Sequence, residues 1–342
     1  MIPLAIKAAG MVTAVGFNAA SSCAAMRAGI RCVNETNLWD AESGEYLAAG
    51  RVLLPHWWIG TGKLAELVAP AIHECMTAAA PVRPEEIPIL IGVSSPDRPC
   101  RFTDLDAEIL REVEHRLEFQ VHRASRVIAQ DRVSGVAAIP EAQHLLDDGA
   151  PLCVIAGVDS SVRQDLVEHY LLKRRLLTPK NSNGFSPGEA GGALLVGPSS
   201  PRARELDVLG VGMGWESAGI ESEEPLRGDG LTAAISGALE TGGLRMDDAN
   251  YRITDLNGEH YRFKEMTLAM TRFPSKPKPK LFDLWHPIEF IGDVGAAIGP
   301  VVLGVALHAA RKYYGVGPIA LCTFGNDDGA RAAAVVKFGM EN

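Results

Sequence analysis

The sequence predicts an α/β protein made of two similar halves packed face to face, and three observations predict it. Several segments, residues 87–93, 152–156 and 319–323 among them, are apolar throughout and alternate with helical patterns, as strands covered on both faces do. The pattern restarts after a Pro/Ser/Arg stretch at residues 197–204. Each half also opens with an apolar strand ending in Gly-Met (Gly10-Met11, Gly212-Met213), holds a small-residue helix feeding a buried strand, and closes on an apolar strand. The expected halves are residues 1–200 and 205–342, within one compact domain whose length allows a large core.

In order along the chain, residues 3–9 read as a buried strand and 10–16 as a small-residue loop, after which Asn18 caps a helix running to 29. Residues 30–60 look irregular, with Trp39, Trp57 and Trp58 expected to pin a loop to the core. Helices follow over 63–80 and 104–117, the second charged and amphipathic, with the strand 87–93 between them. A small-residue helix spans 134–146 and stops at Gly149, and the strands 152–156 and 192–196 complete the half. The second half reads as strand 206–211, helix 231–239, strand 252–256 and a charged segment from Tyr261. The Pro/Lys run 274–280 predicts an exposed, extended connector, ahead of a long helix from Val294 and strands 319–323 and 332–338.

A formal charge of −9 argues against a nucleic-acid partner, because phosphate binding needs concentrated Lys and Arg. Six scattered cysteines without a CxxC pair read as reduced, buried thiols. No apolar run reaches the ~18 residues a membrane span requires, and the apolar N-terminus lacks a basic n-region. A cytoplasmic protein without cofactor or metal is the expectation. In the stretch 291–299 a charged Asp293 stands between glycines where a buried helix opens, matching the positive end of the helix dipole.

Five motifs, in order, resemble those of β-ketoacyl synthases. Residues 183–194 (NGFSPGEAGGAL) look like the GF-x-x-GEGAGA segment, and 9–12 through 27–29 like the opening strand, loop and helix. Ala156-Gly157-Val158-Asp159 resembles a strand end of that family, 292–299 resembles GH-x-x-GAAG, and Phe324-Gly325 resembles the final FGFGG turn. The resemblance implies the thiolase-like fold, five αβαβα layers, usually in a homodimer. Family members carry an acyl chain on a cysteine at the head of a buried helix, assisted by two histidines. The helix end lowers the thiol pKa and neutral imidazoles stabilise the enolate and oxyanion.

This sequence departs from that pattern at all three positions. Counting back without gaps from Gly149 and Ala156-Gly157 puts Arg132 at the cysteine. Asn257-Gly258-Glu259 falls on the first histidine's motif with Glu259 at that position, and Asp293 stands for the second in the glycine-rich motif. Arg cannot act as nucleophile or general base, and a cation at a helix N-terminus needs partners. Arg132 is therefore expected to bridge to Glu259, Asp293 or both, plugging the old pocket. Substitute catalytic groups are Ser134, better read as a small packing residue, His260, read as a loop histidine, and Lys264, matched only across a deletion. Cys322 reads as an inert buried thiol, His286 as structural, and Glu189 as a support for backbone donors. The first functional reading is a catalytically inactive synthase relative acting as a binding, scaffold or adaptor protein. It would form a homodimer or a heterodimer with a relative, and serve an acyl carrier protein, a ketosynthase partner or a secreted effector. The alternative is a 3-oxoacyl-ACP synthase-like acyltransferase or a thioesterase with rearranged catalytic residues.

Overall fold

The computed structural model describes residues 3–56, 58–200, 204–273 and 282–339. Trp57, the Pro/Lys run 274–280 and residues 201–203 of the expected boundary lie outside the described residues.

The first part of the chain runs β1 (Leu4–Val12), α1 (Ala19–Arg27), β2 (Asn34–Asp40), β3 (Glu45–Ala49), α2 (Gly60–Ala78), β4 (Ile89–Gly92) and α3 (Leu105–Leu117). It continues through β5 (Arg126–Ile128), α4 (Ser134–Asp147), β6 (Cys153–Ser160), α5 (Gln164–Leu172) and β7 (Glu189–Pro198). The second part comprises β8 (Leu206–Trp215), α6 (Asp229–Thr241), β9 (Tyr251–Thr254), α7 (His260–Thr271) and β10 (Leu284–Trp285). It ends with α8 (Ile288–Ile291), α9 (Ile298–Arg311), β11 (Ile319–Gly325) and β12 (Ala330–Phe338).

Strand order shows an internal repeat. One run is β5-β4-β6-β7-β1 and the other β10-β9-β11-β12-β8, joined where β1 meets β8 at Ala5–Asp207 and Ile6–Leu206. Directions repeat as well: β4 is parallel to β5 and β6, as β9 is to β10 and β11. The pairs β6/β7 and β7/β1 are antiparallel, and so are β11/β12 and β12/β8. Helices α2 and α3 cover the outer face of the first run, through Leu67, Ile72 and Ile109 packed with Ile89 and Val154. Helices α6 and α7 cover the second through Ile235, Ala238 and Met266 packed with Leu321 and Val335. Between the runs lie α4 and α9 in the largest core cluster. These five layers are the thiolase-like αβαβα arrangement that the motifs implied.

The Gly-Met echo has a packing cause. A Cβ on Gly10 would sit 2.0 Å from the Ala71 carbonyl oxygen of α2, and one on Gly212 would sit 2.1 Å from that of Ala234 in α6. Each glycine lets a helix backbone lie directly on its strand. The same device brings the central helices together, since a Cβ on Gly135 would lie 3.0 Å from Gly299 Cα. Helix α9 has no polar face, and nearly every residue from Ile298 to Leu307 is buried, the mark of a helix enclosed by sheets.

Local expectations are corrected at four places. Residues 30–60 contain the β2–β3 hairpin, in which period-two alternation buries Leu38 and Leu47 and turns Trp39 outward at 43% exposure. Trp39 packs edge-on against Tyr46, and Trp58 lies under the Arg116 guanidinium, so neither pins a loop into the core. The short β5 and the nine-residue α5 were not expected from periodicity. The charged segment from Tyr261 is the helix α7, which turns Arg262 and Glu265 inward. The long helix begins as a tight 3-10 turn, Gly295–Ala297, before α9 proper.

Candidate functional site

The heads of α4 and α9 face one another across the middle layer, and the charged residues singled out in the sequence collect around them. Arg132 stands in the 3-10 turn Asp131–Val133 that opens α4 and is only 5% exposed. Its Nε donates to Asp293 Oδ1 at 3.3 Å and its Nη2 to Oδ2 at 2.7 Å, a bidentate pair. Nη1 lies 3.6 Å from Asp327 Oδ1. Burial disfavours the cation, but Asp293, Asp327 and Asp131 outweigh it and hold the guanidinium charged.

Asp293 is placed by backbone on both sides. Its N–H donates to the Ser186 carbonyl at 2.8 Å, and its own carbonyl accepts from Ser161 Oγ at 3.0 Å. Oδ1 accepts from the Gly295 N–H at 3.2 Å, the helix-opening role read from the glycine-rich stretch. Burial works against its charge, yet Arg132, Arg262 and the Asn257 amide lower its pKa to about 2.

Asp293 alone makes the bridge expected of one or both carboxylates, and Glu259 does not reach Arg132. It takes Arg175 instead, Nε to Oε1 at 2.7 Å and Nη2 to Oε2 at 2.9 Å. Asn257 joins the two pairs: its Nδ2 lies 2.8 Å from Asp293 Oδ2 and 3.1 Å from Glu259 Oε2. Asp327, in the closing turn, accepts from Arg175 Nη1 at 2.7 Å and from Arg262 Nη2 at 2.8 Å. Burial opposes its ionisation, but Arg132, Arg175 and Arg262 hold its carboxyl far below the usual range. Its neighbour Asn326 caps the head of α4, accepting from the Val133 N–H at 3.2 Å and donating to the Gln130 carbonyl at 2.9 Å.

The remaining candidates separate by exposure. His260 and Lys264 sit on the solvent side of α7, where the His260 N–H donates to Asn183 Oδ1 at 2.8 Å. Ser134 is wholly buried and its Oγ has no hydrogen-bond partner among the described residues. A Cβ on Gly92 would come within 2.2 Å of that oxygen, so Ser134 fills a niche against β4. Burial pushes the Cys322 thiol up to about 12, which keeps it protonated. Glu189 accepts from the Val52 N–H at 3.0 Å and Ser160 Oγ at 2.6 Å, and pairs with Lys63 at 2.6 Å.

Sequence reasoning missed Arg98, Arg175, Arg262, Asp131, Asp159 and Asp327. Arg98 bonds Asp159 and lies 3.8 Å from Asp131, whose backbone has the left-handed φ of 51°. Burial raises the Asp131 pKa, Arg98 and Arg132 lower it, and the outcome is about 6. Its Oδ1 is without a hydrogen-bond partner among the described residues.

Neither a family model nor a curated protein sequence matches this chain. Solved structures do. The oxazolomycin ketosynthase domain from Streptomyces albus superposes with a TM-score of 0.78 at 15% identity, over 100% of this chain and 75% of that one. A chain of the ketosynthase ApeO in complex with its chain length factor ApeC, from Xenorhabdus doucetiae, gives 0.74 at 14% identity, over 98% of both chains. A type II polyketide synthase complex of a hexaketide-bound ketosynthase with its acyl-carrier protein gives 0.77 at 12% identity, over 98% of this chain and 99% of that one. The chain has the fold of the ketosynthases. None of its described helices is long and apolar enough to cross a membrane.

Proposed function

We propose that this chain is a ketosynthase-like protein that does not carry out thiol-based condensation and works by binding, as a scaffold or adaptor in the cytoplasm. One observation carries the reading: the residue at the head of α4 is a buried arginine clamped by Asp293, in the place the motifs assign to the acyl-accepting thiol. A guanidinium offers no lone pair for attack, and an aspartate titrating near 2 is a poor base at neutral pH. On this reading the ion pair would also block the entry of an acyl chain. Pairing with a related chain or with a second copy is the arrangement we favour, supported by the likeness to a ketosynthase that is complexed with a chain length factor. The client would be an acyl carrier protein, a working ketosynthase or a secreted effector; the likeness to a ketosynthase bound to its carrier protein favours the first.

The test is incubation of the purified chain with radiolabelled malonyl- and acyl-carrier protein. The expected outcome is carrier-protein binding without covalent label or turnover. Label or turnover that disappears in Ser134→Ala or His260→Ala would overturn the reading in favour of an acyltransferase or thioesterase.

A further inference from the structure

A second site lies between α1, β10, α8 and the end of α9, and it shares no lining residue with the Arg132 network. It is a pocket of about 360 Å³, at the compact end of the range for ligand sites, roughly 300–1,000 Å³. Cys23, Met26 and Val305, all buried, form its apolar side, and Trp285, Phe290 and Tyr314 supply aromatic walls. Flat rings and soft sulfur atoms suit a flat aromatic guest better than a long chain. The charged or titratable groups that decide the guest's head are Arg27, His286 and Glu289. Glu289 is taken by His286, with Oε2 2.9 Å from Nδ1. Arg27 has no such partner. Its guanidinium carbon lies 4.4 Å from the centre of the Tyr314 ring, and none of its donors meets an acceptor among the described residues. The surroundings of Tyr314 are cationic as well. Burial, then Lys312, Arg27 and Arg311, hold the His308 imidazole below its ordinary pKa, with its Nδ1 3.1 Å from the Tyr314 hydroxyl. Arg311 donates to the carbonyls of Arg204 and Lys7, and Glu205, an acid that acts on it, is bonded to Lys7 at 2.8 Å. No carboxylate among the described residues lies within ion-pair distance of Arg27, Arg311 or Lys312. Arg27 and Arg311 close α1 and α9, where the dipole favours cations. The helix ends thus account for the charges and leave the Arg27 donors unused.

We propose that this pocket binds a flat aromatic carboxylate, its head accepting from the Arg27 guanidinium beside Tyr314 and its ring seated among Met26, Trp285 and Phe290. A carboxylate matches the planar guanidinium fork with two parallel bonds. The site is independent of the proposed function, since neither Arg132 nor its partners contribute to it.

Titration calorimetry of the full chain with indole-3-acetate tests the assignment, with tryptamine as the cation carrying the same ring. One indole-3-acetate per chain is expected, bound at least about tenfold more tightly than tryptamine. Arg27→Gln alters an exposed residue, so the thermal midpoint should hold while indole-3-acetate weakens by about tenfold, to the level of tryptamine. Glu289→Gln removes an acid already held by His286 and should change the affinity for indole-3-acetate by less than about twofold. No binding of indole-3-acetate, equal binding of tryptamine, or an Arg27→Gln variant that binds as the parent does would each overturn the proposal. So would a Glu289→Gln variant that binds indole-3-acetate about tenfold more tightly.

Discussion

The heads of α4 and α9 are built alike and charged oppositely. Each helix is entered through a 3-10 turn, and each turn holds a residue with positive φ, Asp131 at 51° and Gly295 at 48°. Asp293 sits in agreement with the dipole of α9 and accepts from the Gly295 N–H at its head. Arg132 sits against the dipole of α4, with no acceptor on its own helix, and it is stable there because the neighbouring helix supplies a carboxylate. A helix N-terminus therefore tolerates a buried cation when a second helix head delivers the counter-charge at bidentate range.

The largest effect should come from breaking that delivery. Asp293→Ala leaves Arg132 buried and short of its main partner, at an expected cost of about 3–5 kcal/mol in urea unfolding. Arg132→Met leaves Asp293 still served by the Asn257 amide and the Gly295 N–H, and should cost less, about 1–3 kcal/mol. The reverse order would show that the two heads are not unequal in the way described. Next comes the contact that sets the heads face to face: Gly135→Ala should cost about 1–3 kcal/mol through overpacking against Gly299, read as a lower denaturation midpoint.

Acid and base separate the carboxylates on the two sides. Asp293 has its pKa lowered to about 2, so its stabilisation is complete above the ordinary carboxylate pKa and is lost as pH falls from about 4 toward 2. Asp131 is raised to about 6, so the folded state keeps a proton that the unfolded chain releases, and stability declines as pH rises from about 4 through 6. Asp131→Asn, which keeps a residue type that accepts left-handed φ, should raise the thermal midpoint at pH 8 and leave it nearly unchanged at pH 4. The smallest effects belong to the exposed face of α7, where His260→Ala and Lys264→Ala should each stay within about 0.5 kcal/mol of the parent.

What could be read in the sequence follows from where the information lies. Repeated strands, Gly-Met ends and small-residue helices are local patterns imposed by close packing, and they appear in the layers as expected. Asp293 was found because a glycine-rich motif brackets it, and Arg132 because it lies a fixed count before Gly149 and Ala156-Gly157. Arg175 has no such bracket; it follows α5 in a Lys-Arg-Arg run, and composition cannot say which of three adjacent cations turns inward. Arg98, alone between Asp97 and Pro99, and Asp327, one of two adjacent aspartates, carry no local signal of burial either, and Arg175, the partner that Glu259 takes, went unseen. Burial of a charge is decided by tertiary neighbours, which periodicity does not encode.

The ionic network also bears on assembly. Arg98, Arg132 and Arg175, set against Asp131 and Asp159, come from the first repeat. Asp255, Glu259, Asp293 and Asp327, set against Arg262, come from the second. Each repeat alone would expose a lopsided ionic surface, cationic on one and strongly anionic on the other. Docking the two repeats neutralises both faces, a short-range and salt-dependent contribution, because each half as a whole carries a net negative charge.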